Sequence, residues 1–526
     1  MRAIISVAHH DGLIDLAREL QSHHVSILAT TKTMKALTAA GIKASSVGEL
    51  SRMSETLGEH ISVLHPTIIG GIVARRDMPR HEIELSTYGI EPIDLVAVNL
   101  LLFTEVVSDP TLSLQEALDR MDIGGITLMK AAAKNFQNVI VLVRPQDYAP
   151  VLQEWHEQGE VSLETRRRLA AMAFQYATSY DAAVAEYLRS AEGELFPEQL
   201  ALPLELLQNL RYGENPHQQA AFYRWSGYNS ATTLPTIADA HILPGHGPGK
   251  LLSYNDWLNL DAALKTVQYF TAPAVTIVKH TNPCGLGCDD VLVAAYKKAH
   301  AGDPVAAAGG VIGCNRPVDR ATALEILPLF YTAVIAPEYT SEALELLRKK
   351  PEMRLLATHC PIEPGAVSTQ TLREGQPEIR SVSGGLLLQT PDIVREPESE
   401  YSVVTEREPT LEEVTNLMFA WKAVHHVMSN AVVLASKLML VGIGAGQMSR
   451  VASVQLAVEK AGARARGSVL ASDAVFPFPD GIATAAKAGV TAIIQPGGAE
   501  RDEEIIRAAN RYAIAMIFTG RRHYRH

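Results

Sequence analysis

Positive charge is scarce in this sequence. Against 58 Asp and Glu there are 47 Lys and Arg, leaving a formal net charge of −11. An acidic chain of this kind has no broad attraction for nucleic acid or an anionic membrane, so neither is expected as a partner. Cysteine is rarer still, with four residues (Cys284, Cys288, Cys314, Cys360) in 526. That count fits reduced thiols in a cytoplasm rather than a disulfide framework. No apolar run reaches membrane-spanning length, and Met1-Arg2-Ala3-Ile4-Ile5-Ser6-Val7 runs straight into polar residues, unlike a signal peptide. Low-complexity tracts and short-period repeats are also missing. What remains is 47% hydrophobic and 20% charged, the composition of a globular protein with two or three domains.

The pattern over residues 1–195 alternates between strand and helix. Residues 3–7, 25–29, 94–99 and 138–143 read as strands, 13–22 and 163–190 as helices. This predicts a parallel sheet covered by helices, with functional loops at the strand C-terminal ends. Around 190–207 the pattern weakens and Pro197 and Pro203 punctuate it, placing a domain boundary near residue 200. Strand signals resume at 274–278, 310–312, 333–336, 440–444 and 492–495, predicting further α/β structure in two lobes.

The densest chemistry lies in Val278-Lys279-His280-Thr281-Asn282-Pro283-Cys284-Gly285. Here a buried β-branched strand is expected to run into a Pro/Gly turn, presenting Lys279 and His280 on a rigid support. An imidazole takes a proton near neutral pH, and an adjacent ammonium stabilises an oxyanion. On the dipeptide alone, a solvated strand end and a hydrogen-bonded core histidine are the favoured account of the two residues.

Wider motifs change that balance. They are Leu210-Arg211-Tyr212-Gly213-Glu214-Asn215-Pro216-His217-Gln218, Gly444-Ala445-Gly446-Gln447-Met448-Ser449-Arg450, Phe476-Pro477-Phe478-Pro479-Asp480-Gly481, Gln495-Pro496-Gly497-Gly498 and the terminal Phe518-Thr519-Gly520-Arg521-Arg522-His523-Tyr524-Arg525-His526. In order and spacing they resemble the PurH family of bifunctional purine-biosynthesis proteins, over essentially the whole chain. The resemblance implies an IMP cyclohydrolase-like domain of methylglyoxal-synthase-like α/β fold over 1–198. It implies an AICAR formyltransferase domain of two cytidine-deaminase-like lobes over 199–526. It implies 10-formyltetrahydrofolate as co-substrate, a homodimer, and a bound K+ as something to look for. Lys279 and His280 match the family's catalytic positions. Arg211, Tyr212, Gly309, Asn430, Arg450 and Arg522 match nucleotide-binding positions, and Val451, Asp480, Gly497 and Gly498 match folate-binding ones.

Departures from the family concentrate in the first domain. Asp122 and Lys134 match cyclohydrolase positions, but the usual phosphate loop Ser-Thr-Gly-Gly-Thr is Ala29-Thr30-Thr31-Lys32-Thr33, and the first loop is Ala8-His9-His10-Asp11-Gly12. Losing glycines removes the close backbone approach that phosphate cradles use. Two usual cations before Leu64-His65-Pro66 are replaced within His60-Ile61-Ser62-Val63, the Lys and His that usually follow become Thr67 and Ile69, and a usual Tyr is Leu101. This domain is therefore expected to be silent in ring closure. In the second domain Ala308, Thr332, Met428 and Val475 replace bulkier or charged family residues.

Rival readings fail on spacing. Pro283-Cys284-Gly285-Leu286-Gly287-Cys288 is one residue too long for a zinc deaminase and lacks an upstream His-x-Glu, so no metal site is expected. Residues 245–250 are too short for a P-loop, and Gly442–Gly446 lacks the dinucleotide spacing. A formyltransferase for a related aminocarboxamide nucleotide, and a non-catalytic partner of an active paralogue, stay open as alternatives.

Overall fold

The computed structural model describes residues 1–51, 60–107, 109, 111–192, 194–226, 235–244, 251–359, 377–392 and 400–526. Cys360 and the segment 245–250 lie outside the described residues. The chain divides into two compact units, Met1–Glu205 with Arg224–Tyr228, and Leu206–Tyr223 with Asn229–His526.

In the first unit a five-stranded sheet runs, in spatial order, Ser45–Ser46, Ser26–Ala29, Arg2–Val7, Leu95–Asn99 and Ile140–Leu142. Every pairing is parallel. Leu95–Asn99 is buried at every residue, which is why it reads as a continuous apolar run rather than an alternating one. Helix Leu13–Ser22 buries Leu13, Leu16, Ala17 and Leu20, one face at helical spacing. Helix Leu163–Glu192 does the same with Leu169, Ala173, Ala177 and Tyr180. The parallel, helix-covered sheet expected from periodicity is the one observed.

The second unit is built on a twelve-stranded sheet. Its order is Ser402–Val403, Ala515–Phe518, Ala492–Gln495, Val469–Ser472, Val432–Ser436, Met439–Gly444, Asn282–Cys288, Ala274–Lys279, Val311–Cys314, Ala333–Ala336, Arg354–Ala357 and His241–Ile242. From the centre outward, each half repeats the same sequence of pairings: antiparallel, antiparallel, parallel, parallel, antiparallel. The two lobes are thus copies of one plan, meeting where Gly287 pairs with Met439.

The repeat persists in residue chemistry at a constant offset of 157 positions (410 minus 253). Ser253 and Asp256 form a capping box at the start of helix Tyr254–Gln268, and Thr410 and Glu413 form one at the start of helix Leu411–Val424. Gly285 and Gly442 hold equivalent strand positions against a following helix. A Cβ on Gly285 would stand 1.9 Å from the Ala299 carbonyl oxygen, and one on Gly442 would stand 2.1 Å from that of Ala457. Only glycine lets strand and helix backbones approach so closely.

One expectation needs correction. The chain does not turn at Pro283–Gly285, because Asn282–Cys288 is itself a strand, bulged between Pro283 and Gly285. The reversal occurs two residues earlier, at His280 and Thr281, whose φ values are 51° and 60°. Two central residues at positive φ, flanked by the pair Lys279 and Asn282, make the tight hairpin turn whose twist suits a β-ribbon. The matching turn in the second lobe is Lys437 and Leu438, at 52° and 55°.

Candidate active site

Strand Ala274–Lys279 is buried up to Val278, and Lys279 emerges half-buried. It delivers His280, exposed, at the apex of the turn. A β-branched residue such as Thr281 in the left-handed region costs about 1–2 kcal/mol, so the turn needs outside support. Asn259, on helix Tyr254–Gln268, supplies it by accepting the Thr281 N–H through Oδ1 at 2.8 Å. The His280 carbonyl accepts from the Thr281 hydroxyl at 2.7 Å and from the Asn282 side-chain amide at 2.9 Å. The Lys279 ammonium donates to the Ala308 carbonyl at 2.9 Å, which fixes it beside Gly309.

A cleft of about 280 Å³ opens along the seam between the lobes, lined by Lys279, His280 and Asn282, by Cys284, and by the ion-paired Asp303 and Lys460, 3.2 Å apart. Burial pushes the Cys284 thiol up to about 12, as it does those of Cys288 and Cys314, so none supplies a thiolate near neutrality.

Asn282 ties this turn to the second lobe. Its Oδ1 accepts the Met428 N–H at 2.9 Å, and Met428 leads directly into Ser429 and Asn430. Asn430 Oδ1 accepts from Arg450 Nη2 at 2.9 Å, and Arg450 Nη1 is paired with Asp473. Arg450 is 6% exposed and Asp473 0%, so the guanidinium is an internal strut that holds Asn430 in place. The Ser429 hydroxyl also donates to Asp473. One network therefore runs from the Lys279–His280 turn through Asn430 to Arg450.

The remaining candidates stand apart from it. Arg211 is exposed, its guanidinium 5.5 Å from the Tyr212 ring centroid. Arg522 is exposed and lies over the Tyr524 ring at 4.8 Å. Val451 is half-buried in the first turn of helix Arg450–Ala461, Asp480 is exposed at the start of helix Asp480–Ala488, and Gly497 and Gly498 adopt φ of 71° and 89°. Among the described residues, no hydrogen bond joins any of these seven (Arg211, Tyr212, Arg522, Val451, Asp480, Gly497, Gly498) to Lys279 or His280.

In the first unit, Asp122 Oδ1 accepts the Gly125 N–H at 2.7 Å at the N-terminal end of helix Gly124–Lys134. Lys134 is exposed at the other end of the same helix, 11 residues long, a rise of about 16 Å. The two are not brought together. Residues of the loop 29–33 and other polar groups of this unit are occupied structurally. Thr33 is fully buried and accepts the Val7 N–H at 3.0 Å, and Asn99 Oδ1 takes the Ala8 and His9 amides at 2.7 and 2.8 Å. Arg75 and Arg76 are ion-paired with Asp77 and Asp94.

A further grouping escaped sequence reasoning. Asp392, His425 and His523 converge in the second unit, with His523 Nδ1 2.9 Å from an Asp392 oxygen. Positions 392 and 523 are 131 residues apart, and no spacing rule reports such a meeting.

Comparison with known proteins bears on the whole chain. The family model for the AICARFT/IMPCHase bienzyme matches residues 132–460, and that for the MGS-like domain matches 12–127. The bifunctional purine biosynthesis protein PurH of Anoxybacillus flavithermus is 44% identical over 525 residues, covering 100% of this chain and 99% of its own. PurH of Bacillus cereus strain G9842 matches to the same extent. A structure titled "Crystal structure of ForH" is 32% identical, covering 36% of this chain and 98% of that one, with a TM-score of 0.32. Among the described residues no helix is long and apolar enough to cross a membrane. From its first strand to its terminal motif, the chain belongs to the PurH family, the AICARFT/IMPCHase bienzymes of purine biosynthesis.

Proposed function

We propose that the cleft beside Lys279 and His280 transfers a formyl group from 10-formyltetrahydrofolate to the amine of AICAR, giving FAICAR and tetrahydrofolate. The observation that carries this reading is the hairpin turn that presents His280, with the Lys279 ammonium held next to it on the same cleft wall. The AICAR amine is conjugated to its ring and is a poor nucleophile, so it needs a base. His280 accepts its proton as nitrogen bonds to the formyl carbon. Lys279 stabilises the oxyanion that forms. Collapse breaks the bond from that carbon to N10 of the folate, and N10 takes up the proton.

In this reading Arg211, Tyr212 and Arg522 meet the nucleotide, with Gly309 allowing close approach. Asn430 acts from the lobe seam, and Arg450 positions it. Asp480 offers a carboxylate to the donor edge of a pterin, near Val451, Gly497 and Gly498. A homodimer, a cytoplasmic location and a bound K+ join this proposal through the family. The full-length relatives favour it over a formyltransferase for another nucleotide or a non-catalytic partner.

For the first unit we infer weak or silent ring closure, supported by the separation of Asp122 from Lys134 and by the paired state of Arg75 and Arg76. The purified chain incubated with AICAR and 10-formyltetrahydrofolate tests both statements by chromatography. FAICAR accumulating without IMP is expected. IMP forming faster than FAICAR closes spontaneously overturns the second statement, and absence of any product overturns the first.

A further inference from the structure

Three side chains from distant parts of the second unit meet outside the cleft. Asp392 follows the hairpin of Glu378–Val382 and Gly385–Gln389, His425 caps helix Leu411–Val424, and His523 lies in the C-terminal tail. One donor atom from each lies within 4.8 Å of the other two. Nδ1 of His523 is 2.9 Å from Asp392 Oδ2, and Nδ1 of His425 is 3.9 Å from the same oxygen. The His425 ring is buried, and among the described residues its Nδ1 has no side-chain hydrogen-bond partner, while Nε2 faces the Tyr269 hydroxyl at 3.5 Å. A buried imidazole nitrogen facing a carboxylate shared with a second imidazole is a donor set that suits a cation between them.

The spacing suits one. Bonds near 2.1 Å place the donors of a tetrahedral Zn²⁺ about 3.4 Å apart, between the two separations observed. Two imidazoles and one carboxylate select a borderline transition metal over Mg²⁺ or Ca²⁺. The nearby guanidinium of Arg525 is engaged by the His426 carbonyl at 2.6 Å.

We propose that Asp392, His425 and His523 form a structural site for a divalent transition metal, typified by Zn²⁺, which clamps the C-terminal tail. The tail is already tethered beside the Arg450 network: the His523 N–H donates to the Asp473 carbonyl at 2.9 Å, and the Arg525 N–H to the Ser429 hydroxyl at 3.0 Å. A metal at His523 would fix the same few residues that carry Arg522. A second cluster, Glu19, His23 and His156 in the first unit, is more open, with His23 stacked on Trp155 at 4.8 Å, and serves as the internal control.

Full-length protein stripped with a chelator is titrated with ZnCl₂ against a chromophoric zinc indicator. One Zn²⁺ per chain is expected, with affinity falling about 10- to 100-fold in Asp392→Asn and in His523→Gln and unchanged in His156→Ala. Zinc should raise the melting temperature of the parent protein and leave that of Asp392→Asn where it was. Asp392 is 42% exposed, so its substitution tests the site without opening the core. Absence of binding, equal affinity in the parent and Asp392→Asn, or loss of the bound Zn²⁺ in His156→Ala would each overturn the site.

Discussion

Asn259 and Asn416 perform one task at equivalent points of the two lobes. Asn259 Oδ1 accepts the N–H of Thr281 and Asn416 Oδ1 that of Leu438, each at 2.8 Å. Each thereby holds a hairpin turn made of two side-chain-bearing residues at positive φ. The first turn carries His280, and the second carries Lys437 and no assigned chemistry. Replacing either Asn by Ala orphans an amide and should destabilise the fold by about 1–3 kcal/mol, measured by urea denaturation. Formyl transfer should separate them: kcat falls in Asn259→Ala and holds in Asn416→Ala. Equal kinetic effects would mean that Asn259 does not position the catalytic turn.

Removing the proposed base or the proposed cation is more severe. Lys279→Ala and His280→Ala should each lower formyl transfer by about 10²- to 10⁴-fold. Both side chains leave the core at the strand end, so melting temperatures should stay close to that of the parent. Residual activity above a tenth in both variants would remove the mechanism.

The buried pair Arg450–Asp473 makes a different prediction. Arg450→Met leaves the Asp473 carboxylate, 0% exposed, with no countercharge, at a cost of about 3–5 kcal/mol in equilibrium unfolding. The double variant Arg450→Met/Asp473→Leu should recover much of that stability, because neither charge is then stranded. Its nucleotide KM should stay raised, since Asn430 has lost the guanidinium that holds it.

Glu413 sets a pH dependence. Burial alone would raise its carboxyl, but the Arg407 guanidinium, gripping both oxygens at 2.8 and 3.0 Å, and the Thr410 amide hold it down to about 2. A depressed folded-state value means that the stabilisation is complete above the unfolded value near 4.5 and is lost as pH falls from there towards 2. Glu413→Gln should therefore be less stable than the parent at pH 7, with the gap closing progressively below pH 4.5 in urea titrations. A gap independent of pH would assign the loss to the capping box rather than to the charge.

Some buried apolar runs were legible as strands, Ala333–Ala336 and Ala492–Gln495 with their observed bounds, while the equally buried Val432–Ser436, Val469–Ser472 and Ala515–Phe518 were not read. The hairpin that carries Lys279 and His280 was misread because Pro283 and Gly285 carry turn chemistry but sit in a strand. Gly285 is there for the Ala299 carbonyl, and the true turn uses His280 and Thr281, residues that no turn rule favours. The internal repeat, implied by the resemblance as two like lobes, left no readable pattern in the sequence itself for a related reason. It survives at positions that shape the backbone, such as Ser253 and Thr410 or Gly285 and Gly442, while the turn residues between them have diverged. The network from Asn282 to Asp473 was out of reach, because it depends on the seam between lobes and on contacts up to 146 positions apart.

The shape of the long sheet limits how a second copy can approach. Both margins end in strands of two residues, His241–Ile242 and Ser402–Val403, each running antiparallel to its neighbour. Among the described residues, margins so short offer almost no ladder for another chain to extend, which disfavours edgewise pairing of this sheet. A second copy that met this sheet would then be held by side-chain fit rather than by shared backbone hydrogen bonds, whereas the two-stranded ribbons Leu204–Leu210/Ala220–Trp225 and Glu378–Val382/Gly385–Gln389 keep longer free edges.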